Sequence, residues 1–163
     1  MIVVADTSPL IVLAKIGLLD VLPGLFGRVM VPPAVFAELL LPRRPERVRN
    51  CFTPGPAWLE VHAPAGMLTI PKLHVGEIAA LSLALEMHAD LVLVDERDAY
   101  RAAVERHLAA VGTIRVLERA AEAGMIDLAS AFDAVKHTDF WLPRDFLDAR
   151  LRLFLQRQHG GGA

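Results

Sequence analysis

The sequence predicts an α/β fold: a sheet of four or five mostly parallel strands with helices on both faces. Two short apolar runs, residues 1–5 and 91–94, are rich in β-branched residues, as is typical of buried parallel strands. Segments with helical spacing alternate with such runs along the chain. At 163 residues and 54% hydrophobic composition, the chain can form one full core. We expect a single domain over residues 1–158 and a disordered glycine-rich tail over 159–163.

The first half of the chain is predicted to alternate strands with helices. After the first strand, Ser8 and Pro9 are typical of a helix N-cap and first helical position, and Gly17 ends that helix. Residues 42–56 are basic and rich in proline, which indicates a surface loop with a short helical piece at most. The other elements expected here are a short helix at 18–22 ended by Pro23 and Gly24, a strand at 28–31, a helix at 34–41 and an edge strand at 58–62.

The second half is predicted to be mainly helical. A long helix at 74–88 precedes the strand at 91–94, and Gly124 has the position of a C′ residue. The remaining expected elements are a helix at 99–110, a short strand or turn at 112–114, and helices at 115–123, 127–137 and 143–158.

Composition excludes several classes of protein. No apolar stretch approaches the ~20 residues of a membrane span, and the N-terminus lacks the pattern of a signal peptide, so we expect a soluble cytoplasmic protein. The single cysteine, Cys51, excludes an internal disulfide and a thiolate zinc site. A net charge of −2 counts mildly against nucleic-acid binding, although a local basic patch can coexist with an acidic pocket.

Two carboxylates directly follow predicted strands. Asp6 follows the first strand and Asp95 follows the strand at 91–94. The carboxyl ends of neighbouring parallel strands meet at one edge of the sheet, where open α/β sheets bind ligands. Because Ser8 and Pro9 already start the next helix, Asp6 is not needed as its cap. A partly desolvated carboxylate requires a cation or donors to stay charged, so we predict a site for a divalent cation.

Two glutamates extend this acidic set. Glu38 lies on a predicted helix, where a solvent-facing position is an equally good interpretation. Glu77 shares an i+4 stripe with Leu81 and Leu85, which places it on the apolar side of its helix. The alternative is a first-turn glutamate favoured by the helix dipole. Gly76 beside it would allow another group to approach closely.

The sequence supplies more acids than one site requires. Glu96 and Asp98 follow Asp95, so the residue that completes the site stays open, and Asp98 could simply begin the next helix. Oxygen ligands without histidine or cysteine favour Mg²⁺ or Mn²⁺ over zinc, and the six histidines show no ligand spacing. Such ions commonly serve phosphodiester hydrolysis.

Four segments together resemble the acidic motifs of PIN domains. They contain Asp6, Glu38, Glu77 and Asp95 in the order of that family, and the resemblance covers about residues 1–120. It looks closest to short prokaryotic PIN proteins of toxin–antitoxin pairs. The segments are Val3–Leu10, Val31–Leu39, Gly76–Ala80 and Leu93–Glu96.

The resemblance implies a three-layer PIN-like fold and a Mg²⁺- or Mn²⁺-dependent ribonuclease, often a homodimer neutralised by a small antitoxin protein. It implies that all four acids are catalytic and that Asp6, Glu77 and Asp95 bind the metal. Thr7 or Ser8 would hydrogen-bond near the first acid, and Glu96 or Asp98 would have supporting roles. One departure is Glu77, where many relatives carry aspartate.

An RNA substrate is likewise implied by the resemblance. The basic loop could contact phosphates through Arg43 and Arg44, with Arg47 and Arg49 nearby, or it could simply be solvated. Arg97 and Arg101, near the fourth acid, are alternative phosphate ligands. The main alternative function is a catalytically weak PIN-fold protein that acts by binding RNA or protein. Receiver and haloacid-dehalogenase folds fit less well, because the first strand lacks an Asp-Asp pair and position 8 is a serine.

Overall fold

The computed structural model describes residues 1–161, which form a five-stranded sheet flanked by helices. The strands are β1 (Val3–Ala5), β2 (Val29–Val31), β3 (Leu59–Val61), β4 (Leu91–Leu93) and β5 (Ala110–Val111). The helices are α1 (Thr7–Lys15), α2 (Val21–Phe26), α3 (Pro33–Leu39), α4 (Glu46–Cys51), α5 (Val75–Glu86), α6 (Arg97–Glu105), α7 (Thr113–Glu122), α8 (Leu128–Lys136) and α9 (Phe146–Gly160). All neighbouring strands are parallel, which confirms the predicted α/β class.

The centre of the sheet is covered on both faces. Every residue of β1 and β4 is buried, although successive residues of a strand point to opposite sides. The continuous apolar runs that predicted these strands therefore reflect helices packed on either face. At one edge, β3 is only half-buried, which confirms the predicted edge strand.

The strand order creates a crevice at the centre of the sheet. The order is β3-β2-β1-β4-β5, so the chain builds one side of the sheet first and the other side afterwards. Ala5 pairs with Leu93, and the backbone N–H of Asp6 donates to the carbonyl oxygen of Leu93 at 2.9 Å. The residues that follow β1 and β4 consequently emerge together at the topological switch point, where α/β sheets bind ligands.

Two predicted helix starts near the N-terminus were wrong. Helix α1 begins at Thr7, with Asp6 at the N-cap position, so Ser8 is not the cap. The side chain of Asp6 nevertheless makes no capping hydrogen bond. Helix α2 begins at Val21 and continues through Pro23 and Gly24. Proline is tolerated in the first turn of a helix, because the backbone N–H groups of that turn have no acceptor within the helix.

The second half also contains corrections. Ala110 belongs to β5 and not to a helix, and Gly112 is the N-cap of α7 where a strand or turn was predicted. Gly124 has the positive φ of +72° expected at C′. Helix α9 extends through Gly160, so residues 159–160 are helical where the disordered tail was predicted to begin. Residues 162–163 lie outside the described residues.

A charged cluster fastens the C-terminal helix to the body of the molecule. Glu118 of α7 is buried, and its carboxylate accepts a hydrogen bond of 2.6 Å from Nε of Arg150 on α9. Arg115 lies against the same carboxylate at 3.4 Å. Leu147 is buried and Leu151 packs against the core, so one face of α9 completes it. Within residues 1–161, every helix is too short or too polar to cross a membrane.

Candidate active site

A cavity of about 880 Å³ lies at the carboxyl ends of β1 and β4. Most of its acidic lining comes from four separate elements of the fold: the end of β1, helix α3, helix α5 and the residues after β4. The fold thus brings together side chains that are up to 90 positions apart in the sequence. The predicted acids that line it are Asp6, Glu38, Glu77, Asp95 and Glu96.

Asp6 is the most deeply buried of these acids, with 4% of its surface exposed. Burial raises its pKa from 3.8 to about 7, and the backbone N–H of Thr7 acts in the opposite direction. The negative charges of Glu77, Glu38 and Asp95 make smaller contributions to this increase. Near neutral pH, Asp6 is therefore only partly ionised, and a nearby cation would favour its charged form.

The first turn of α1 holds two of the other acids. The hydroxyl of Thr7 donates to Oε2 of Glu38 at 2.7 Å, and the hydroxyl of Ser8 donates to Oδ2 of Asp95 at 2.8 Å. The resemblance implied that one of these hydroxyls would serve the first acid. They bind the second and the fourth acids, so the helix that follows Asp6 orients carboxylates from two distant elements.

Thr113, which sequence reasoning missed, fixes Asp95 from the other direction. Its backbone N–H donates to Oδ1 at 2.7 Å, and its hydroxyl donates to Oδ2 at 2.8 Å. Burial raises the pKa of Asp95, whereas the hydrogen bonds from Thr113 and Ser8 lower it. A Cβ at Gly112 would lie 2.9 Å from Oδ1 of Asp95, so glycine permits this close approach. The sequence signal was weak: a hydroxyl residue within the short strand or turn that was predicted at 112–114.

Glu77 both caps the start of α5 and lines the cavity, so the two interpretations of its position are both correct. It is buried at the third position of α5, and its Oε2 accepts the backbone N–H of His74 at 2.9 Å, as a capping glutamate does. Its side chain also lines the cavity, and burial raises its pKa against the opposing effect of the His74 amide. A Cβ at Gly76 would overlap Oε1 of Glu38, so this glycine allows α3 and α5 to bring their acids together.

Basic residues lie at the rim of the same cavity. Arg43, Arg44 and Arg97 line it, and Nε of Arg44 donates to the backbone carbonyl of Glu38 at 3.1 Å. Asp98 and Arg101 lie outside the cavity on α6, 4.0 Å from each other. Asp95 and Glu96 are thus the members of the fourth acidic group that reach the site.

The remaining wall of the cavity was not predicted. Lys15 at the end of α1 and His74 before α5 contribute to it, as does the connection between α8 and α9 over residues 139–143. That connection contains Asp139 but none of the predicted acids, and the packing of α8 and α9 together with the contact between Lys15 and Asp139 brings it to the site. The sequence offered one clue, the tryptophan at position 141 in an otherwise helical region.

A family model described as a PIN domain matches residues 2–156 of the sequence. The chain belongs to the PIN-domain family. PIN domains are generally metal-dependent nucleases. In structure, the chain is similar to a PilT N-terminus domain protein from the hyperthermophilic archaeon Sulfolobus solfataricus P2. The TM-score is 0.51 and the identity 13%, over 87% of this chain and 100% of the other, so this likeness concerns the fold. No curated protein matches the sequence.

The donor set of this PIN domain fits a hard divalent cation. Across residues 1–161, no three Asp, Glu, His or Cys side chains converge closely enough to ligate one ion directly. Mg²⁺ does not need such a cluster, because it usually keeps several waters and binds through one or two carboxylates. The raised pKa values of Asp6, Glu77 and Asp95 indicate carboxylates that a cation would stabilise in their charged form. Oxygen donors of this kind favour Mg²⁺ or Mn²⁺ over zinc.

Proposed function

We propose that this PIN domain is a Mg²⁺- or Mn²⁺-dependent endoribonuclease that hydrolyses RNA phosphodiester bonds. The observation that carries this proposal is the buried carboxylate of Asp6 at the switch point of the sheet. Three further acids, from α3, α5 and the end of β4, raise its pKa. A site with this concentration of negative charge favours the binding of a divalent cation, and the bound cation can in turn bind a phosphate.

The residues have two proposed roles: some bind the ion, and others orient the side chains that bind it. Asp6 supplies an oxygen ligand, Glu77 and Asp95 act on the ion directly or through its waters, and Ser8 and Thr113 fix the carboxylate of Asp95. When bound, the ion supplies Lewis acidity for activating water and for stabilising the leaving oxygen.

Glu38 has a different role in this proposal. Thr7 holds its Oε2, which leaves Oε1 to accept the proton that the attacking water loses. Arg43, Arg44 and Arg97 bind the phosphates on either side of the scissile bond, because they line the rim of the cavity that contains the acids.

The proposal includes a biological setting, a toxin–antitoxin module in which a small antitoxin protein neutralises a homodimeric toxin. It rests on the resemblance of the four acidic motifs to short prokaryotic PIN proteins. Expression of the protein alone should arrest bacterial growth, and expression of Asp6→Asn should not. Equal growth with both proteins, at equal soluble levels, would contradict the toxin role without touching the nuclease activity.

The direct test of the nuclease activity is cleavage of a panel of structured and single-stranded RNAs with Mg²⁺, Mn²⁺ or EDTA. We expect cleavage that EDTA and Asp6→Asn both abolish, whereas Asp98→Asn, outside the cavity, retains it. Absence of cleavage by folded protein with demonstrated metal binding would favour the alternative, a PIN-fold protein that acts by binding RNA or protein.

A further inference from the structure

Trp141 is the most exposed of the large hydrophobic side chains described in residues 1–161, with 81% of its surface accessible. It lies in the connection between α8 and α9 and lines the cavity that contains the acids. Tryptophan side chains are highly buried on average, because the indole ring is large and mostly apolar. An indole left in solvent at the rim of a functional cavity therefore points to a ligand that covers it.

The segment that carries Trp141 is anchored on both sides. Phe140 and Leu142 pack against the hydrophobic core, so the residue between them is directed outwards. Asp139 accepts a hydrogen bond of 2.6 Å from Nζ of Lys15, at the end of the helix whose first turn orients Glu38 and Asp95. The residues on either side of Trp141 thus contact the core and the end of α1, which places the indole at the cavity that contains the acids.

The charges around the indole favour a nucleic acid over a protein as the ligand. Arg43, Arg44 and Arg97 line the same cavity, and its floor is acidic. The buried carboxylates beneath these arginines count against a protein partner, because charged residues are depleted at the core of protein interfaces. Aromatic rings interspersed with arginines are the combination that binds single-stranded nucleic acid, since the rings stack on bases and the arginines bind phosphates.

We propose that Trp141 stacks on a base of single-stranded RNA and so positions the adjoining phosphodiester at the carboxylates. This inference rests on the proposed ribonuclease function and adds to it a substrate-positioning residue, Trp141. In a duplex, both faces of each base are covered by its neighbours, so the indole has no base to stack on. Trp141 is therefore a specificity-determining residue of the site.

The test is a comparison of binding by fluorescence anisotropy with a short labelled uridine oligonucleotide. All proteins carry Asp6→Asn and Mg²⁺ is present, so that the RNA stays intact. Trp141→Ala should weaken binding by roughly 5- to 150-fold, the usual effect of removing a stacking residue. Trp141→Phe should retain most of the affinity, because it keeps an aromatic face. Tyr100→Ala, an exposed aromatic of α6 outside the cavity, is the matched control and should bind normally.

A second readout reports on the indole itself. In a Trp58→Phe background, Trp141 is the sole tryptophan, and its fluorescence should be quenched by the single strand but not by the same sequence as a duplex. Unchanged affinity with Trp141→Ala, or the absence of RNA binding, would overturn the inference. Cleavage by the unsubstituted protein is scored separately, so failure of the nuclease proposal and failure of the stacking proposal are distinguishable.

Discussion

Asp6 is the residue at which burial and neighbouring negative charges combine most strongly. It is nearly inaccessible to solvent, yet its carboxylate is placed among three other acids. The negative charge of Asp6 therefore lowers the stability of the folded protein, and a bound cation would offset this loss. A site that destabilises its own apo form is a common feature of binding and catalytic centres.

The raised pKa of Asp6 gives stability a specific dependence on pH. Between its usual pKa of 3.8 and about 7, the folded state binds the proton more tightly than the unfolded state does. The contribution of Asp6 to stability therefore falls as pH rises through this window, and the penalty is complete above about pH 7. Without metal, Asp6→Asn should be more stable than the wild type at about pH 8, by an amount on the order of a few kcal/mol.

Urea unfolding of both proteins at several pH values, in EDTA, measures this difference. The advantage of Asp6→Asn should shrink steadily as the pH is lowered from about 7 towards 4, where the wild-type carboxylate is protonated as well. A difference that stays constant over this range would contradict the raised pKa. Asp98→Asn, on the exposed surface of α6, serves as the control with no pH-dependent advantage.

Thr113 is predicted to act on metal binding through Asp95. Thr113→Val keeps the shape of the side chain but removes the hydroxyl that donates to Oδ2 of Asp95. We expect Mg²⁺ affinity to fall by about 10- to 100-fold, as is usual when the partner of a metal ligand is lost. Isothermal titration measures the affinity, and Thr113→Ser, which retains a hydroxyl, should bind nearly as well as the wild type. Equal affinities for all three proteins would show that Thr113 does not orient the ligand.

At the scale of the secondary-structure elements, the strand ends explain why the acids could be located from the sequence. Asp6 and Asp95 directly follow apolar runs that are typical of buried parallel strands, and adjacent parallel strands end at a shared edge. Gly76 likewise indicated the close approach that Glu38 makes. The paired β-strand at Ala110–Val111 was not predictable, because two residues carry no periodicity and only pairing with β4 defines them.

In contrast, the sequence could not predict that the segment around Trp141 lies at the site. Its position at the cavity depends on how α8 and α9 pack, and on the contact between Lys15 and Asp139, which are 124 positions apart. Neither contact leaves a local pattern in the sequence. Side chains that reach a site through tertiary packing alone are thus the ones that sequence reasoning misses, whereas those delivered by strand ends are found.

Helices α7 and α9 are predicted to depend on the buried carboxylate of Glu118. Glu118→Gln leaves Arg150 without its charged partner, and loss of one partner of a buried pair costs about 3–5 kcal/mol. Because the side chain of Arg150 is 32% exposed, we expect a smaller loss, about 1–3 kcal/mol. Asp148→Asn breaks the exposed pair with Lys136 and should leave the unfolding midpoint nearly unchanged. Equal unfolding midpoints for the two variants in urea would contradict this difference.

At the scale of the whole molecule, the distribution of charge matters more than its sum. The net charge is −2, but the cavity pairs an acidic floor with arginines at its rim. A phosphate approaching the rim meets Arg43, Arg44 and Arg97 before it meets the carboxylates. The weakly acidic composition is therefore compatible with an RNA substrate.

This distribution predicts how RNA binding responds to salt. Arg43→Ala should weaken binding of single-stranded RNA at low salt and reduce the slope of log affinity against log salt by about 0.7, the value of one phosphate contact. Arg101→Ala, outside the cavity, should leave the slope unchanged. Binding measured over a series of salt concentrations tests both variants. Identical slopes for Arg43→Ala and the wild type would exclude Arg43 as a phosphate ligand.

The central claim is that the acids around Asp6 form a site for a divalent cation. It is tested most directly by titrating Mg²⁺ and Mn²⁺ into the purified protein while following heat release and thermal unfolding. We predict saturable binding, with a stabilisation of about 2.7 kcal/mol when the ion is present at a hundredfold excess over its dissociation constant. Asp6→Asn should lose most of the binding and the stabilisation while remaining folded. A folded wild-type protein that neither takes up the ions nor gains stability from them would contradict the account.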